Sequence, residues 1–119
     1  MKVHVIGDLL ARGQGVGKAS VVSNTVVVKN GAEVHAYDTE GMIIVTTSTD
    51  KDMMPAIENC AGIITEEGGL TSHAAVVGLS LGIPVIVGVK EATGLIRHGQ
   101  EITMDAETGV IYKGHASVL

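Results

Sequence analysis

The sequence predicts an α/β domain with a parallel βαβ core and an N-terminal β layer packed across it. Three observations carry that expectation. From Met42 onward the apolar runs Met42 to Val45, Ala61 to Thr65 and Ile83 to Val89 are continuous rather than alternating, as in strands buried on both faces. The gaps between them are long enough for a crossover connection and carry helix punctuation. Before them, Lys2 to Asp38 is glycine-rich and broken into short β-like runs, the change falling near Thr39 to Gly41.

In chain order, the β-like runs are Val3 to Ile6, Ser20 to Val28 and Glu33 to Tyr37. Asn30-Gly31 between the last two predicts a hairpin. Thr49 or Asp50 can cap a helix over Lys51 to Asn59. Thr71 or Ser72 can cap a second, ending at Leu81, where Gly82 and then Pro84 supply the stop. Glu91 to Arg97 reads as a short helix, and Glu101 to Asp105 with Val110 to Lys113 as strands flanking a turn at Ala106 to Gly109. The tail beyond Gly114 is expected to be loose.

Composition narrows the function. A chain of 119 residues suits one core, so residues 1–119 are read as one unit. With no Phe or Trp, that core must be Val, Ile, Leu, Met and Ala. The net charge of −5 and the scattered basic residues exclude nucleic acid and anionic membranes as expected partners. The single cysteine, Cys60, has no internal disulfide partner and reads as a buried thiol in a reducing compartment. The opening Met1 to Leu10 lacks a signal-peptide pattern and no stretch is long enough for a membrane helix, so a cytoplasmic protein is expected. The length also suits a fragment of a longer enzyme.

The segment Thr65-Glu66-Glu67-Gly68-Gly69-Leu70-Thr71-Ser72-His73-Ala74-Ala75-Val76-Val77 lies where a buried strand ends and a helix begins, the position at which open α/β sheets hold ligands. Gly68 and Gly69 allow a sharp turn and close approach of backbone to a ligand. Thr71 or Ser72 can cap the helix, and its first amides point outward as anion donors. His73 falls in that first turn. The positive end of the helix works against imidazolium by about 0.3–1 kcal/mol, leaving a nitrogen lone pair for nucleophilic attack. A phosphoryl group on that nitrogen would meet helix amides and hydroxyls.

These residues resemble the phosphohistidine motif of phosphoenolpyruvate-utilising enzymes, which include pyruvate phosphate dikinase, phosphoenolpyruvate synthase and enzyme I of the sugar phosphotransferase system. The likeness continues through Leu81-Gly82-Ile83-Pro84-Val85-Ile86-Val87-Gly88, and Gly15-Val16-Gly17-Lys18-Ala19 is similar to the family's glycine-rich opening. The resemblance implies a swivelling β/β/α domain with His73 as the phosphate-accepting, catalytic residue and Gly68, Gly69, Thr71 and Ser72 around the phosphate. Thr65-Glu66-Glu67 and the ending Val110-Ile111-Tyr112-Lys113-Gly114 are most similar to the extra C-terminal domain of pyruvate kinases of bacilli and their relatives.

One departure matters: where many phosphotransfer members have Ala-Arg after the histidine, this chain has Gly78-Leu79. No Lys or Arg occurs between Lys51 and Lys90, whereas phosphoryl transfer normally uses cations to offset charge. A cation must come from elsewhere in the chain, a partner domain or Mg²⁺ in the parent enzyme. No cofactor is expected in this domain.

Two functions therefore compete. One is a phosphoryl carrier in which His73 is transiently phosphorylated by phosphoenolpyruvate, or from a nucleotide bound by another domain. The other, favoured by the missing arginine, is a structural or regulatory module that contacts the kinase body through Thr71-Ser72-His73. Simple capping by Thr71 or Ser72, and a packed histidine at a helix start, are the plain alternatives for those side chains. Gly13, Gly15 and Gly17 read as a β turn, since Gly17-Lys18-Ala19 lacks the P-loop hydroxyl. His4, His35, His98 and His115 have no zinc-site spacing. Met53 and Met54 read first as core filling.

Overall fold

The computed structural model describes residues 5–118. Its strands are β1 (Val5–Ile6), β2 (Leu9–Arg12), β3 (Gln14–Val16), β4 (Ser20–Val28), β5 (Ile43–Thr46), β6 (Gly62–Thr65), β7 (Val85–Val87), β8 (Glu101–Asp105), β9 (Val110–Lys113) and β10 (Ser117–Val118). Its α-helices are α1 (Met54–Ile57), α2 (His73–Leu81) and α3 (Ala92–Leu95). Eight strands form one sheet in the order β2-β9-β8-β4-β5-β6-β7-β3, and β1 pairs with β10 in a separate ribbon.

The middle of the sheet is the expected parallel core, with β4, β5, β6 and β7 running the same way. Side chains there alternate between two interiors. Ile44, Ile63, Val85 and Val87 face one cluster, closed by Met53, Ile57, Ala74, Ala75 and Val77. Ile43, Val45, Ile64 and Ile86 face the other, with Ile102, Met104 and Ile111 from β8 and β9 and with Ala92 and Ile96. Filling both sides explains why these runs are continuously apolar; each fully buried isoleucine contributes about 1.5–3 kcal/mol.

β4 joins the two halves. Its first residues, Ser20 to Asn24, pair antiparallel with β8, and Thr25 to Val28 pair in parallel with β5. The β layer expected from the N-terminal third is thus built equally from the C-terminal hairpin β8–β9, with β2 at its edge. The chain then passes from β2, at one end of the strand order, to β3, at the other, through Gly13 alone. The sheet must therefore curl until its edges meet.

That closure explains the glycines that suggested a simple turn. Gly13 N–H donates to Gly109 O at 2.8 Å, and a Cβ on Gly15 would run into the carbonyl of Ala106. β3 is a strand on β7, not a turn. Neither β2 nor β3 was expected, because both are short and fall within the glycine-rich stretch.

Other differences have equally local causes. Asn30-Gly31 does not make a hairpin: Asn30 caps a 3₁₀ helix over Gly31–Ala36, its side chain accepting from Ala32 N–H. The next strand, β5, is parallel to β4, so the chain must cross over rather than double back. Lys51 to Asn59 divides into a 3₁₀ turn, Lys51–Met53, and the single turn of α1, with Pro55 at its start. Asp50 caps it, accepting from Asp52 N–H.

The Ile83 to Val89 run narrows to β7, and Glu91 to Arg97 to α3. Of the expected strand Val3 to Ile6, Val5–Ile6 is seen as β1, and Val3 and His4 lie outside the described residues. The tail beyond Gly114 is not loose: Ala116 is buried and β10 pairs with β1.

Candidate functional site

The parallel strands β5 and β6 end side by side, Thr46 opposite Thr65. Past that point Glu66 N–H donates to Thr46 O and Glu67 N–H to Thr47 O, so the chain leaves the sheet still tied to its neighbour. Thr65 Oγ1 donates to Glu67 O at 2.7 Å, tightening the first bend. Gly68 then takes a φ of 100°, which side-chain-bearing residues rarely adopt, and a Cβ there would press on Ser72.

Glu66 is engaged elsewhere. Its carboxylate accepts from both the amide and the hydroxyl of Thr93, binding the loop to α3. Glu67, by contrast, lines the cleft beside the histidine.

Of the two candidate caps, Ser72 is the one used. Its backbone is extended, and its hydroxyl accepts from Ala75 N–H at 3.4 Å. Thr71 is exposed beside it. Gly69 supplies the carbonyl that accepts from Ser72 N–H. At its far end α2 stops as expected, with Gly82 in the left-handed conformation at φ 71°.

His73 is the first residue of α2 and is half-buried. Its Nδ1 lies 2.9 Å from Thr49 Oγ1, on the connection that follows β5. The hydroxyl accepts from Nδ1–H in the tautomer whose Nε2 lone pair is free, the form a nucleophile requires. The helix-cap position that the sequence offers to Thr49 is taken by Asp50, which leaves the Thr49 hydroxyl for His73. The signal available in the sequence was the place of Thr49 just past the end of a parallel strand.

Ser48, Thr49, Thr65, Glu67, Gly68, Ser72, His73 and Ala74 surround a cleft of about 150 Å³. It brings together His73, Gly68 and Ser72 from the expected set; Gly69 and Thr71 are outside its lining. The lining contains hydroxyls, one carboxylate and one imidazole, but no Lys or Arg. Below it, the Thr46 hydroxyl is buried without a hydrogen-bond partner. Among the described residues no cluster of three or more His, Cys, Asp or Glu could hold a metal, and no helix is long and apolar enough to cross a membrane.

A histidine at the tip of a helix, above a glycine bend at the end of a parallel sheet, is the arrangement expected of a phosphohistidine-type α/β domain. The family of the PEP-utilising enzyme mobile domain matches residues 38–109, and the chain belongs to that family. Along all of its 119 residues it is 75% identical to a pyruvate kinase of Sporosarcina psychrophila and 66% identical to one of Geobacillus stearothermophilus. In each case it spans 20% of the relative's length. Among solved structures, that of an Enzyme I protein, nEIt, superposes with a TM-score of 0.55 at 25% identity, over 62% of this chain and 31% of that one.

Proposed function

We propose that this chain is the C-terminal phosphohistidine-type domain of a cytoplasmic pyruvate kinase, serving a structural or regulatory role while other domains transfer phosphate from phosphoenolpyruvate to ADP. The observation that carries this reading is the identity of 75% and 66% to pyruvate kinases over the whole chain. The site agrees with it. A carrier must stabilise a multiply charged phosphoryl group, and the cleft at His73 has Glu67 in its wall and no basic side chain.

In this reading Gly68, Gly69, Thr71, Ser72 and His73 form a contact surface for the kinase body. Apart from the Ala75 amide capped by Ser72, the first amides of α2 stay open at that surface without serving phosphate transfer. Thr49 and Ser72 hold that surface in shape. Phosphoenolpyruvate, ADP and any Mg²⁺ belong to the catalytic domains, and this domain needs no cofactor.

The test uses the full-length parent enzyme. Incubated with labelled phosphoenolpyruvate, it should acquire no acid-labile, base-stable label. Deleting this domain should leave turnover in place but shorten the enzyme's half-life at elevated temperature or weaken subunit association. Label that disappears in His73→Ala would overturn the structural reading in favour of the carrier.

A further inference from the structure

The helix α2 is apolar on both sides. Ala74, Ala75, Val77 and Gly78 are buried against the sheet, yet the outward face carries apolar Val76 and Leu79, at 55% and 66% exposure, beside Ser80; Leu81, 44% exposed, lies at the end of the helix. Leu70, 58% exposed, stands in the loop that leads into it. From Gly68 to Val89 the sequence contains no Asp, Glu, Lys or Arg. A helix facing water normally carries charge on its outer face, whereas one apolar all round belongs in an interior.

The clustering is local. Leu9, Val22, Tyr37 and Leu95, the other large exposed apolar side chains among the described residues, lie on separate elements. Beside Leu79 the surface is also concave, with a cleft of about 170 Å³ among Val16, Lys18, Gly82, Ile83 and Pro84 that can receive a side chain.

We infer that the outer face of α2 is a docking surface and that its occupant is the remainder of the parent polypeptide. The inference rests on the chain being one domain of a longer kinase. It goes beyond that reading in adding, to the contact at the tip of the helix, a second one centred on Val76 and Leu79. The relatives matched over this whole chain are about five times its length, so the uncovered face has a covalently attached partner at high effective concentration.

The test is thiol accessibility in the full-length enzyme, read peptide by peptide by mass spectrometry. Leu79→Cys and Leu95→Cys are made separately; both sites are exposed in the domain, so neither substitution disturbs its core. Native Cys60 is buried. Leu79→Cys should react with a maleimide at least tenfold more slowly than Leu95→Cys, and a cross-linker placed there should reach residues outside this domain. Equal labelling rates overturn the inference, as does cross-linking to the same helix of a second copy. If deletion of the domain destabilises the enzyme while Leu79→Cys labels quickly, the docking surface is wrong and the proposed function stands.

Discussion

Thr49 Oγ1 lies 2.9 Å from His73 Nδ1, a link between the connection after β5 and the first residue of α2. One ring nitrogen is thereby occupied, and the imidazole has a fixed orientation at the mouth of its cleft. Replacing Thr49 by Val keeps the shape and removes the hydroxyl. The expected outcome is a loss of about 1 kcal/mol in stability and, in ¹⁵N spectra of the imidazole, a change in the balance of the two neutral tautomers. Unchanged ring signals would show that the hydroxyl does not set the tautomer.

Ser72 and Thr71 are adjacent hydroxyls with different duties. Because Ser72 accepts from Ala75 N–H, Ser72→Ala should cost about 1 kcal/mol. Thr71 is exposed, and Thr71→Ala should fall within about 0.5 kcal/mol of the parent sequence. Urea unfolding of the two variants side by side checks the ranking; a larger loss at Thr71 would move the cap.

The hydroxyl of Thr46 is buried with no partner. A polar group in that position is better replaced by a methyl of the same shape, so Thr46→Val is expected to raise stability by about 1 kcal/mol. A destabilisation of that size in thermal unfolding would mean that the hydroxyl has a partner in solution.

Burial pushes the Cys60 thiol up to about 11 from 9.0, partly offset by hydrogen bonding with the backbone of Gly62 and of Cys60 itself. The folded state therefore holds this proton after the unfolded state has released it. The corresponding stability is complete below about pH 9 and is lost as the pH rises towards about 11. Comparing the parent with Cys60→Ala across that interval isolates the contribution from other groups, and it should amount to about 2 kcal/mol. At pH 8 the native thiolate should be about a hundredfold scarcer than in the unfolded chain, a difference visible as slow modification by a disulfide reagent.

The parallel core and the helix behind His73 were legible because their physics is local. Ile63 and Ile64 must both be apolar when both faces of β6 are covered, and Ser72 and Gly82 mark the two ends of α2 by their own backbone preferences. What escaped depended on distant partners. Leu9–Arg12 and Gln14–Val16 are strands only because β9 and β7 offer free edges to them. Asn30-Gly31 has the composition of a hairpin turn, but the pairing of Thr25 with Ile43 in parallel leaves it no hairpin to close. Thr49 is invisible as a partner of His73 without the fold, since 24 residues separate them.

Val5 faces Val118 across the ribbon of β1 and β10. The two ends of the described chain thus lie side by side on one short ribbon, which shares no strand with the eight-stranded sheet that carries His73 and its cleft.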